Sequence, residues 1–171
     1  MLRAALFVLV GVLFVIEFEV ADSRGDVSET QADWTVVLLF SAALLALAVA
    51  LPVFGQLSAG HPGLRASMLA AAGAGLSSAA NIVEDGLLIE GAFFAFIAGA
   101  AILNLGLLVL TGVIVWRSRG VRRAHAVVSA LTLVAITVYA TAGGYLMLVA
   151  WLIAAGFAVA APRVAPSVRL A

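Results

Sequence analysis

The chain has 171 residues, of which 65% are hydrophobic and 11% charged, with a mean hydropathy of +1.22. Soluble domains are nearer half apolar and a quarter charged, so a water-soluble globular domain is excluded, and so is an extramembrane domain of useful size. Nine Arg and nine acids cancel to a net charge of zero, and the lack of cysteine excludes disulfides, thiolate metal sites and cysteine nucleophiles.

The first apolar run covers residues 2–20. Arg3 ahead of an apolar stretch has the outline of a signal peptide, but the run closes on Glu17-Phe18-Glu19-Val20 with no small-x-small cleavage site, so it reads as an uncleaved first span. The second span covers 34–54. Thr30-Gln31-Ala32-Asp33 before it suits a capping box, Trp34 an interfacial anchor, and Pro52 a break near its end. Pro62 opens the third span, 62–83, at a position where proline is favoured. The fourth covers 91–116 and the fifth 124–142. Gly143-Gly144 reads as a tight turn into the sixth, 145–161, which Pro162 and Pro166 stop. The expected fold is all-α: one transmembrane domain over 1–171, built as a six-helix bundle.

Orientation follows from arginine, because cytoplasmic loops retain basic residues. With the N-terminus inside, the inner side receives Arg3, Arg65, Arg117, Arg119, Arg122, Arg123, Arg163 and Arg169. The outer side receives all nine acids: Glu17, Glu19, Asp22, Asp26, Glu29, Asp33, Glu84, Asp85 and Glu90. Arg24 alone is on the wrong side. An odd span count would scramble this sorting, so both termini are expected in the cytoplasm. Arginine in place of lysine, with abundant Ala, Gly and Val, suits a bacterial-type plasma membrane.

Small residues mark close helix packing in lipid. Ser67, Ala71, Gly75 and Ala79 recur every four residues in span three, with Ala70, Ala74 and Ser78 as a neighbouring row, and Gly91, Ala95 and Gly99 share that spacing in span four. Spans three and four are therefore expected to meet at the centre through Gly75, Ala79, Ala95 and Gly99, with spans one and six toward lipid. Ser129, Thr132, Thr137, Tyr139 and Thr141 give span five at least one inward face.

The sharpest polar feature is Asn81, Glu84 and Asp85, followed by Glu90. Ser77, Asn81 and Asp85 fall on one helical line with Ser78 and Glu84 beside it, and polar groups facing hydrocarbon are costly, so the stripe should face the bundle or water. Carboxylates with an amide suit a hard cation or a proton. The competing reading puts Glu84 and Asp85 in a solvated loop with Asn81 capping a helix. Glu17, about 22 Å along the first helix by rise, is expected to end that helix in solvent; buried against Asp85 or Glu90 it would strengthen a proton or cation site. Asn104, at mid-depth in span four, is expected to clamp span three or five by a hydrogen bond.

Arg117, Arg119, Arg122 and Arg123 form a basic loop suited to anionic lipid headgroups, while the absence of a folded domain and of interleaved aromatics argues against nucleic acid. Other motifs fail on context. Gly73-Ala74-Gly75 lies inside an apolar helix, so it is no phosphate loop. Ser77 is about 20 Å by helix rise from His61 and His125, too far for a nucleophile and its base. Residues 22–33 carry Arg24 and Val27 where a calcium loop needs an oxygen ligand and a glycine. Arg24-Gly25-Asp26 is too short a match to carry weight. No cofactor is implied. The expectation is a non-enzymatic accessory or small-ligand-binding bundle; the alternative is a small secondary transporter or channel for a cation or proton-coupled solute.

Overall fold

In the computed structural model, residues 1–24 and 33–160 are described. Among them, five α-helices carry the fold: α1 (Leu2–Arg24), α2 (Trp34–Asn81), α3 (Phe93–Arg117), α4 (Ala126–Thr137) and α5 (Gly144–Ala160). π turns at Ile82–Gly86 and Tyr139–Gly143 and 3-10 turns at Glu90–Ala92 and Gly120–His125 join them, and no strand occurs among the described residues. Among the described residues, four helical segments are long and apolar enough to cross a membrane: Leu2–Ser23, Trp34–Gly86, Glu90–Arg117 and Tyr139–Ala160.

The second of these is a hairpin. Ala59 (φ −136°) and Gly60 (φ 63°, ψ −142°) leave the helical region and reverse the chain, so α2 consists of two antiparallel arms, 34–58 and 61–81. Glycine suits the positive φ at position 60. Gly55 and Gly63 face each other just beyond the reversal, where a side chain on either would meet the other's backbone. The break thus falls at Ala59–Gly60, and Pro52 lies inside the first arm without ending it. Asp33 supplies the N-cap, accepting from the backbone N–H of Thr35 (3.0 Å) and Val36 (3.4 Å). Thr30 of the expected capping box lies outside the described residues.

The second arm packs closely on α3. Gly73 abuts the backbone at Gly99 and Leu103, Gly99 abuts Ser77, and Gly106 abuts Ala70. The contacting row on α2 is therefore Ala70, Gly73 and Ser77, and the expected row is corrected: Gly75 has open space where a side chain would go, and Ala79 is exposed. Small residues also stand beside the two rows of four-residue spacing, and periodicity alone does not say which of them face α3. Gly99 does stand at the contact.

The outward placement of spans one and six is also corrected. α1 and α5 pack on each other, Gly11 against Leu148 and Gly144 against Phe14 and Phe18. Phe7, Val10, Phe14 and Trp151 from these helices are almost fully buried with Phe54 of α2. Each helix presents one face to this core and the other outward, as Leu9, Leu152 and Val159 do.

α4 and α5 form a second hairpin. The turn is centred on Val138 (φ −107°, ψ 28°) and the following π turn, earlier than the Gly143-Gly144 position expected. Gly144 is helical (φ −58°) and Gly143 lacks a side chain because the Ala135 carbonyl and Tyr139 occupy that space. The glycine pair serves close approach, not a left-handed turn. α4 has 12 residues, about 18 Å at the α-helical rise.

These connections sort the charges into two ends. Arg65, Arg117, Arg119, Arg122 and Arg123 lie near the α2 reversal and the α3–α4 connection. Glu17, Glu19, Asp22, Asp33, Glu84, Asp85 and Glu90 lie at the opposite end, where Trp34 packs on Gly86 and Tyr145 donates a hydrogen bond to Glu19.

Candidate functional site at the acidic end

The site begins with the polar layer between the two arms of α2. Ser78 Oγ donates to the Ser41 carbonyl (2.8 Å) and Ser41 Oγ to the Ser78 carbonyl (3.3 Å). Asn81 Nδ2 donates to the Val37 carbonyl (3.2 Å) and to Ser41 Oγ (3.0 Å). Asn81 is 3% exposed and makes no side-chain cap bond, so it clamps the two arms and does not cap a helix end.

Beyond Asn81 the chain winds into the π turn that carries Glu84, half-buried, and Asp85, exposed. A cavity of about 380 Å³ opens there. Glu17, Asn81, Glu84 and Asp85 line it together with Val36, Val37, Phe40, Phe93, Phe96 and Tyr139. Four residues singled out in the sequence thus share one cavity. Glu90 does not line it. It is exposed and lines a neighbouring surface hollow of about 590 Å³ with Glu84, Asp85, Leu88 and Phe93.

Glu17 corrects its expected place. It is 4% exposed, and α1 continues past it to Arg24, so it does not end the helix in solvent. The Tyr139 hydroxyl donates a hydrogen bond to Glu17 Oε2. Arg24, which closes α1 at the acidic end, has a side chain outside the described residues.

A second cavity, about 320 Å³, adjoins the first. Phe14, Leu44, Ala100, Leu103, Ile136 and Ala140 make most of its wall, with Ser77 as a polar member. Ser77 Oγ is directed to the Phe96 carbonyl (3.3 Å). Phe40, Phe96 and Tyr139 line both cavities and form the partition, with ring centroids 5.5 Å apart for Phe40–Tyr139 and 6.2 Å for Phe40–Phe96. Among the described residues, no basic one lines either space. Among the described residues, no three His, Asp or Glu side chains are grouped to hold a metal ion.

Asn104 does not make the expected clamp: its Oδ1 is buried and has no hydrogen-bond partner among the described residues. A side-chain contact from α3 to another helix comes instead from Thr111, whose hydroxyl lies 2.8 Å from Ser129 Oγ on α4. Ser77 stays remote from both histidines.

The arginine end is built differently. His125 is 5% exposed and its ring stacks on Phe157 at 4.1 Å. Ser58 Oγ donates to the Phe54 carbonyl (2.8 Å), so the His125 Nδ1–H donates to Ser58 Oγ (3.0 Å), while Ser118 Oγ donates to the Ser58 carbonyl (2.8 Å). A hydroxyl beside an imidazole can be an activated nucleophile. Here the serine proton goes to a carbonyl and Ser58 is fully buried, so the pair is structural. Desolvation by burial, and then the nearby Arg122, hold the His125 imidazole below its ordinary pKa. Arg117, Arg119, Arg122 and Arg123 are exposed at this end.

The polar stripe holds Ser78 and Asn81 of the serine layer, but nothing in the sequence points to Ser41 as their partner or to the partition, in which Tyr139 stands out only as part of an inward face of span five. Phe40 and Phe96 carry no motif: an aromatic in an apolar span looks the same whether it fills a core or walls a cavity. What the fold and site define is an all-helical protein of apolar, membrane-length helices with an acidic cavity at one end. The chain matches no protein-family model, no curated protein and no solved structure in the comparisons made.

Proposed function

We propose that the chain is an integral protein of a bacterial-type plasma membrane that binds a small ligand in the cavity at its acidic end, without catalysis. It crosses the membrane six times, each arm of α2 and each helix of the α4–α5 hairpin counting as one span, with both termini and the arginine end in the cytoplasm. The segregation of arginines from acids supports that orientation. The exposed Arg117, Arg119, Arg122 and Arg123 rest against anionic headgroups.

The observation that carries the ligand reading is the pair of adjoining cavities sharing Phe40, Phe96 and Tyr139. A purely packing role calls for a dry, filled centre, whereas pockets for small molecules run to a few hundred Å³ with apolar walls and a few placed polar groups. The transport reading additionally requires the arginine end to open, and there His125, Phe54, Phe157 and Trp151 are packed ring on ring.

The natural chain has no cysteine, so single cysteines report cleanly. In reconstituted protein, Phe93→Cys, lining the cavity, should react with a charged, membrane-impermeant maleimide, while Ala74→Cys, buried between helices, should not. Equal inertness of both cysteines would defeat the ligand reading. For topology, Ser28→Cys and Arg119→Cys, the latter on an exposed residue of the α3–α4 connection, should label from opposite faces, and labelling from one face would overturn the six-span arrangement.

A further inference from the structure

We infer that the ligand is an organic cation, an ammonium group carrying an apolar tail, whose head sits among Glu17, Glu84 and Asp85 and whose tail enters the chamber behind Tyr139. This rests on the ligand-binding reading above and adds its chemistry.

The charge argument begins with Glu17. It is 4% exposed, it lines the cavity, and the Tyr139 hydroxyl engages its Oε2. No donor among the described residues reaches Oε1. No basic residue among the described ones lines the cavity to balance this carboxylate, a buried carboxylate in that position is costly, and the two other acids of the cavity raise that cost. Relief comes from a cation or a proton. A bare metal ion fits poorly, because hard cations draw six or more oxygens into one small shell and no such grouping occurs among the described residues. A proton would settle Glu17 but leaves the chamber without a role.

The chamber decides the rest. Its wall is nearly all carbon, and the Ser77 hydroxyl is already directed to the Phe96 carbonyl. A sugar or other polyhydroxyl ligand would find no donors there, and an anion would face three carboxylates. Phe40, Phe96 and Tyr139 stand between chamber and mouth, where aromatic faces attract an alkylammonium group. A molecule charged at one end and apolar at the other matches this order of surfaces.

The experiment measures equilibrium binding of octyltrimethylammonium, 1-octanol and octyl sulfate to the full chain in lipid nanodiscs, with empty nanodiscs as the blank. Saturable binding of the ammonium compound, one per chain, is expected, with the other two weaker by at least about tenfold. Glu17→Gln should weaken the ammonium compound by about tenfold or more. Ala100→Phe, which fills the chamber and leaves the carboxylates in place, should weaken it to a similar degree. Circular dichroism and size exclusion establish that each variant is folded, and either variant alone suffices if the other is not. Octanol binding as tightly as the cation, or unchanged ammonium affinity in a folded Glu17→Gln or Ala100→Phe variant, would overturn the inference and leave the cavity a ligand site. Absence of ammonium binding with a reactive Phe93→Cys would also overturn the inference alone. Absence of all binding with an inert Phe93→Cys would remove both.

Discussion

The two ends of this protein solve the same problem in opposite ways. Both carry polar side chains into an apolar bundle. At the arginine end Ser58, Ser118 and His125 satisfy one another and the backbone and aromatic rings fill the space around them, with Trp151 Nε1 buried there without a partner among the described residues. At the acidic end, the Ser41–Ser78–Asn81 layer is equally complete, but the chain beyond it opens into a cavity that Glu17, Glu84 and Asp85 line with no basic residue among the described ones. Buried polar groups are costly unless partnered, so a satisfied network marks structure and an uncompensated one marks a place held for something else.

The largest expected effect comes from emptying the closed end. Trp151→Ala or Phe54→Ala, each about 1% exposed, should lower unfolding free energy by about 3 kcal/mol. Phe93→Ala, on an exposed residue at the cavity mouth, should cost within about 0.5 kcal/mol. Equal losses in a denaturant titration in detergent would erase the contrast.

Helix packing gives the next effect. Gly73→Leu and Gly106→Leu push a side chain into the facing backbone and should each cost about 1–3 kcal/mol or more. Gly75→Leu meets open space and should stay within about 0.5 kcal/mol. A reversed order in thermal unfolding would restore the other small-residue row as the contact.

Polar networks come third. Ser58→Val leaves the His125 Nδ1–H and its surroundings unsatisfied and should cost about 1–3 kcal/mol. Asp85→Asn, on an exposed residue, should change stability by about 0.5 kcal/mol at most.

The smallest effect is a pH dependence at the closed end. Burial holds the His125 pKa below its unfolded value, so the unfolded chain binds the proton more readily than the folded one. The stability from neutral, buried His125 is present above the unfolded imidazole pKa of about 6.5 and is lost as pH falls below it. His125→Phe should flatten this slope in an unfolding series from pH 7.5 to about 5. A slope unchanged in the variant would assign it to other groups.

Much of this was legible in the residues. The alternation of apolar runs with charged connections gave the helical class. The α2 hairpin followed from Pro62 and the short connection ahead of it, although the reversal sits at Gly60, where positive φ is required. Asn81, Glu84, Asp85 and Glu17 stand out in the sequence because polar side chains in an apolar chain are few. Their meeting in one cavity is a tertiary fact, since Glu17 is far from the others in sequence and arrives through the α1–α5 and α4–α5 contacts. The choice between the Gly75 and Gly73 rows was not legible, because both repeat with nearly helical period. The role of Ser58 was hidden as well: a lone serine in an apolar span gives no sign that a histidine 67 residues away will reach it.

The central claim is that the cavity opens to one face only. Single cysteines at Phe93, beside the cavity, and at Phe157, beside His125, can be probed with an impermeant maleimide applied to each face of oriented proteoliposomes. The account predicts fast reaction of the cysteine at 93 from the acidic face alone and slow reaction of the cysteine at 157 from both. Comparable reaction at 157 from the arginine face would contradict the closed end and make the chain a conduit instead of a one-sided binding site.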